Sequence, residues 1–99
     1  MAEIEVLNLA RRYAEAVRTV MSPRAVFLYG SHARGTANKD SDIDIAVVVD
    51  DLSMDYLKAS ANLWSLTEQI SDEIEPVLLT PNDAKSGFLQ TVERTGIAV

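Results

Sequence analysis

Hydrophobic positions recur at three- and four-residue steps, or their multiples, from residue 3 to about residue 21. Ile4, Leu7, Ala14, Val17 and Met21 form one stripe, the spacing of an amphipathic helix. Leu9, Tyr13, Ala16 and Val20 lie beside it, and Arg11, Arg12, Glu15 and Arg18 mostly face outward. Ser22-Pro23 ends the helix, because the residue before a proline is pushed out of the helical region. The apolar run Ala25-Val26-Phe27-Leu28-Tyr29, closed by Gly30, predicts a buried strand. Residues 30–40 are polar and hold two of the four glycines, a loop with room for one helical turn. From Asp42 to Val49 the chain reads Asp-Ile-Asp-Ile and then Ala-Val-Val-Val. That β-branched richness predicts a second, central strand.

A second long helix is expected from residue 53 to about 74, with Ser53 as N-cap and Asp55 in its first turn. Leu57, Ala61, Trp64, Leu66 and Ile70 read as its inward stripe, flanked by Leu63, so Trp64 is expected in the core. Val77-Leu78-Leu79-Thr80 reads as a third strand, and Pro76 before it suits an edge or a strand beginning. Pro81-Asn82 starts a turn, and a short helix from about Lys85 to Arg94 stops at Thr95-Gly96, a glycine C-cap. The order α-β-loop-β-α-β-α predicts an α/β (α+β) domain, a small mixed sheet of three strands packed against helices. The first two strands are free to pair antiparallel, because only the helix between the second and third is a clear crossover.

Composition narrows the class. The 99 residues suit one domain, 1–99, and 47% hydrophobic residues suffice for one modest core. No apolar run approaches the roughly 20 residues of a membrane span, so no membrane association is expected. The N-terminus lacks the basic and apolar regions of a signal peptide, and there is no cysteine. Without cysteine there is no disulfide framework, and together with the missing signal this favours the cytoplasm. Nine Lys+Arg against fifteen Asp+Glu give a net charge of −6. That argues against nucleic acid held directly through its phosphates, although a metal ion can supply positive charge locally for a nucleotide.

The chemistry concentrates in Gly30-Ser31-His32-Ala33-Arg34-Gly35-Thr36-Ala37-Asn38-Lys39-Asp40-Ser41-Asp42-Ile43-Asp44. On a strand Asp42 and Asp44 share a face, about 6.6 Å apart along the chain, and can converge on a hard divalent cation. The pair alone carries little, since Glu3-x-Glu5, Asp40-x-Asp42 and Glu73-x-Glu75 share the pattern. Its setting carries more: alternation with Ile43 and Ile45 at the start of the most hydrophobic strand makes two like charges costly unless something positive lies between them. Gly30 lets the chain turn or a ligand approach. Ser31 offers a hydroxyl and an amide at the start of a helical turn, where phosphate oxygens are well received.

Gly30-Ser31, ten residues, then Asp42-x-Asp44 resembles the signature of the DNA polymerase β-type nucleotidyltransferase superfamily. The fuller string GSHARGTANKDSDIDIAVV is most similar to its minimal, stand-alone (MNT) branch, which includes antitoxins paired with helical HEPN-domain toxins. The resemblance implies that Gly30 and Ser31 hold the β- and γ-phosphates of a nucleotide. Asp42 and Asp44 would bind Mg²⁺, with a two-ion site expected, and position the α-phosphate for attack by a hydroxyl. The family has a third carboxylate on a neighbouring strand; Glu75, one methylene longer than the usual aspartate and followed by Pro76, is the candidate third catalytic and metal-binding acid. Asp72 and Glu73 are read as solvated, at the helix end. Arg34 is read as reaching a phosphate, Lys39 as a solvated charge, His32 as a loop residue, and Ser41 either as orienting Asp42 in the nucleotide site or as capping a turn.

These implications amount to a Mg²⁺-dependent enzyme that moves AMP from ATP to a hydroxyl of a partner protein. No second domain of the kind larger relatives carry is expected after Val99. The acceptor is therefore expected on a helical HEPN-like toxin in a hetero-oligomer, with this chain as antitoxin. The alternative is a non-catalytic or nucleotide-sensing module that neutralises its partner by binding. Arg11-Arg12 is read as a solvated face, or as a contact for an acidic partner.

Overall fold

A computed structural model describes residues 3–38, 40–50, 55–81 and 87–99. Lys39, Ser53, Asn82 and Lys85, which the sequence reading placed in loop, cap, turn and helix, lie outside the described residues. The elements run α1 (Ile4–Val20), β1 (Ala25–Tyr29), α2 (Ser31–Arg34), β2 (Ile43–Val48), α3 (Tyr56–Ile70), β3 (Ile74–Leu79), α4 (Phe88–Thr95) and β4 (Ile97–Ala98). The described strands form one mixed sheet in the order β3-β2-β1-β4. β1 pairs antiparallel with β2 and with β4, whereas β2 and β3 run parallel, joined through α3 as a crossover connection requires. The two-residue β4 is a fourth strand where three were expected.

Each face of the sheet carries its own cluster. Val26, Leu28, Ile43, Ile45, Val47, Ile74 and Leu78 are buried against Val6, Ala10, Tyr13, Ala14 and Val17 of α1 and Ala59 and Leu63 of α3. On the other face Ala46, Val48 and Leu79 pack against Leu89 and Val92 of α4. The site therefore shares a face with the thinner helical cover.

The inward stripes differ from those expected. In α1 the buried residues are Val6, Ala10, Tyr13, Ala14 and Val17, while Ile4 is 76% exposed. In α3 they are Ala59, Leu63 and Thr67, and Leu57 (75% exposed) and Trp64 (47% exposed) point to solvent rather than into the core. The helix is also shorter than expected. It stops at Ile70, Asp55 caps its N-terminus by accepting from the Leu57 N–H at 2.7 Å, and Asp72 and Glu73 lie in a turn. The third strand correspondingly begins earlier, at Ile74, and includes Pro76 on an edge strand, where a missing N–H is tolerated.

One polar contact joins the two helices of the main cluster. The fully buried Tyr13 hydroxyl donates to the Leu63 carbonyl at 2.5 Å, and burial pushes its pKa well above the ordinary value of 10.0. Tyr13→Phe should destabilise the protein by about 1 kcal/mol, the net worth of one such bond. Urea unfolding at neutral pH measures this; an unchanged midpoint would mean the bond contributes nothing.

Candidate active site

The strand register brings distant acids together. Tyr29 of β1 lies directly opposite Asp44 of β2, and Asp44 opposite Glu75 of β3. Opposed residues share a face, so Tyr29, Asp44 and Glu75 form a row across the sheet. A backbone bond from the Ile43 N–H to the Glu73 carbonyl, 2.9 Å, fixes the start of β2 against the turn that leads into β3. Asp42, one residue before β2, lies near enough for its charge to act on both Asp44 and Glu75. The structure thus unites the three acids that the sequence reading singled out.

The corner before α2 closes over the same row. Gly30 has φ 75° and ψ −150°, a conformation essentially reserved for glycine. A Cβ at this position would overlap Asp44 Oδ2 and come within 3.3 Å of its Cγ. Gly30 is therefore required twice, for its backbone and for the approach of the Asp44 carboxylate. Ser31 begins α2, and Arg34 ends it with its side chain exposed but near enough for its charge to act on Asp44. Ser41 is held in a turn: its Oγ accepts from the Asn38 N–H at 3.0 Å, and its own N–H donates to the Asn38 carbonyl at 3.1 Å. Its hydroxyl is engaged as the turn-capping alternative expects.

The electrostatics are those of carboxylates crowded together. Burial, and then the negative charge of Asp42, push the Asp44 pKa up; His32 and Arg34 pull it partly back. Glu75 is pushed up first by Asp42, then by desolvation, by Asp44 and by its hydrogen bond with Asp42. Tyr29 is raised by burial and by both Asp44 and Glu75. The sequence reading did not pick out Tyr29; the sequence signal was its place next to Gly30, but only the register sets it beside the acids. Its ring meets Phe88 of α4 edge-on, with centroids 5.6 Å apart.

Carboxylate oxygens are hard donors suited to Mg²⁺, and mutual repulsion is what a bound cation relieves. The donor set therefore fits a divalent ion. Among the described residues no three His, Cys, Asp or Glu side chains are already closed into a metal-holding cluster, so the fit rests on donor chemistry and charge.

Raised carboxyl pKa values have a defined sign. The folded state holds these protons more tightly than the unfolded chain, so their contribution to stability is full below the ordinary values, 3.8 for Asp and 4.5 for Glu, and is lost as pH rises through the elevated ones. Without divalent cations, wild type should lose stability relative to Asp44→Asn as pH rises across this range, and Mg²⁺ should restore it at neutral pH. Urea unfolding at stepped pH checks both; parallel curves for the two proteins would rule the coupling out.

A mixed sheet that gathers carboxylates on β2 and β3 beside a glycine–serine corner defines a nucleotidyltransferase. The family described as Polymerase beta, Nucleotidyltransferase matches residues 12–99, and the chain belongs to that family of enzymes. A Methanocaldococcus jannaschii protein named "Putative protein adenylyltransferase" is 24% identical over 102 residues, covering 97% of this chain and all of the relative. Among solved structures, a "putative nucleotidyltransferase" from Sulfolobus solfataricus shares the fold with a TM-score of 0.69 at 21% identity, over 96% of this chain and 79% of that one. A toxin–antitoxin crystallised with AMP-PNP matches with a TM-score of 0.61 at 26% identity, over 90% of this chain and 70% of that one. Among the described residues no helix is long and apolar enough to cross a membrane.

Proposed function

We propose that this nucleotidyltransferase is a single domain that transfers AMP from ATP to a hydroxyl of a partner protein, as the antitoxin of a HEPN-type toxin in the cytoplasm. The observation that carries the chemistry is the convergence of Asp42, Asp44 and Glu75 against the Gly30 corner. The adenylyltransferase name of the archaeal relative supports AMP transfer to a protein. The toxin–antitoxin crystallised with AMP-PNP supports both the adenine nucleotide and the partner.

In this reading Gly30 and Ser31 receive the β- and γ-phosphates, Arg34 adds positive charge, and Ser41 supports the nucleotide site through its turn. Asp42, Asp44 and Glu75 would hold Mg²⁺, which when bound supplies charge neutralisation on the phosphates. The acceptor oxygen attacks the α-phosphorus and forms a new P–O bond. The bond to the bridging oxygen of the β-phosphate breaks and pyrophosphate leaves. Glu75, the most exposed of the raised carboxylates, takes the hydroxyl proton. Such transfer depends mainly on positioning and electrostatics.

Intact-mass spectrometry of the protein with its co-purifying partner, before and after MgATP, tests the proposal. An AMP-sized gain on the partner is expected. A stable partner that gains no mass with any nucleotide would leave a binding module.

A further inference from the structure

His32, the single histidine, sits on α2 directly after the glycine–serine corner. Its Nε2 lies 3.3 Å from the Ser41 carbonyl, nine residues along the chain and immediately before Asp42. Facing a carbonyl, Nε2 carries the proton and donates. Ser41 is held from the other side by Asn38, through the Ser41 N–H to the Asn38 carbonyl at 3.1 Å and the Asn38 N–H to Ser41 Oγ at 3.0 Å. The approach to the carboxylate pair is thus gripped between a turn and a ring. His32 lines an open cleft of about 460 Å³ together with Gly35, Asn38, Ser41 and Glu73. Packing does not fill that space, so the segment has room to shift if the ring is removed.

We infer that His32 is a positioning residue for nucleotidyl transfer: its N–H, given to the Ser41 carbonyl, ties the Gly30-Ser31 corner to Asp42 and Asp44 so that both halves of the site keep one geometry. The role builds on the proposed function. It resembles the outer partners of metal ligands, which orient groups they do not replace.

The test compares wild type, His32→Ala and His32→Gln, the last keeping an N–H donor. Mg²⁺ is titrated against thermal unfolding, and kcat and KM for ATP are measured on the partner. His32→Ala should weaken the apparent Mg²⁺ affinity or lower kcat by about 10- to 100-fold, leaving KM for ATP and the metal-free unfolding temperature close to wild type. His32→Gln should recover most of the loss. The inference is overturned if His32→Ala keeps the wild-type Mg²⁺ midpoint and kcat, or if Gln proves no better than Ala in a folded protein. A wild-type protein that binds Mg²⁺ but transfers nothing refutes the proposed function instead, and the Mg²⁺ midpoints still decide the role of His32.

Discussion

Asp44→Asn should leave the protein folded and reduce nucleotidyl transfer by at least about a hundred- to a thousand-fold, the usual loss when one preorganised electrostatic group is removed from a reacting centre. Asp44 is central to the row, flanked by Tyr29 and Glu75 and covered by the Gly30 corner. Asparagine keeps its shape but not its charge. The same change removes a like-charge neighbour of Asp42 and Glu75. Stability without divalent cations should therefore rise at neutral pH while activity falls, a divergence common where function strains a site. Single-turnover assays on the partner and urea unfolding supply the two readings. Near-normal transfer by a folded Asp44→Asn protein would remove this carboxylate from the mechanism, whereas neutralisation of the partner that persists without transfer would make steric binding the better account.

Gly30→Ala should impair both properties. An alanine at φ 75° and ψ −150° is strained by about 1–3 kcal/mol. Its methyl group also overlaps Asp44 Oδ2, so the carboxylate must move. A displacement of about 1 Å in a positioned group can reduce the rate by about a hundred-fold. The expected result is a lower urea midpoint together with a fall in kcat larger than any change in KM for ATP. A Gly30→Ala protein with wild-type kcat would show that the corner and the carboxylate need not touch.

How far these features were legible in the sequence depends on what fixes each of them. β1 runs over Ala25–Tyr29 as expected, because five consecutive apolar residues closed by Gly30 have few alternatives. The two ends of the motif were likewise readable, since Gly30 and the alternating acids are local patterns. The inward face of α3 was not. Two apolar stripes overlap on that helix, and the buried one includes Thr67, whose hydroxyl is satisfied by the Trp64 carbonyl at 2.7 Å. Periodicity therefore favoured the stripe holding Trp64, while burial against α1 selected the other. Glu75 could be nominated but not placed, because strand register is set by long-range pairing. The family pattern leaves the position of His32 variable, which suggests a loop residue; the distance between its ring and Ser41 depends on how the loop closes and has no local sequence signal. β4 is two residues long, too short for any periodicity to register.

That short strand also determines what the sheet offers at its margins. A strand edge with a run of free N–H and C=O groups is a template on which another chain can add. Beside β1 the margin is taken by Ile97–Ala98, and the Val99 N–H donates to the Val26 carbonyl at 2.9 Å. On the opposite margin β3 is interrupted by Pro76, which has no N–H, and its Leu78 carbonyl accepts from the Tyr56 hydroxyl at 3.4 Å. Neither side presents a long uninterrupted ladder. Further growth of the sheet by strand addition, the first step toward fibrillar aggregates, is discouraged at both ends by a few residues that take no part in the chemistry.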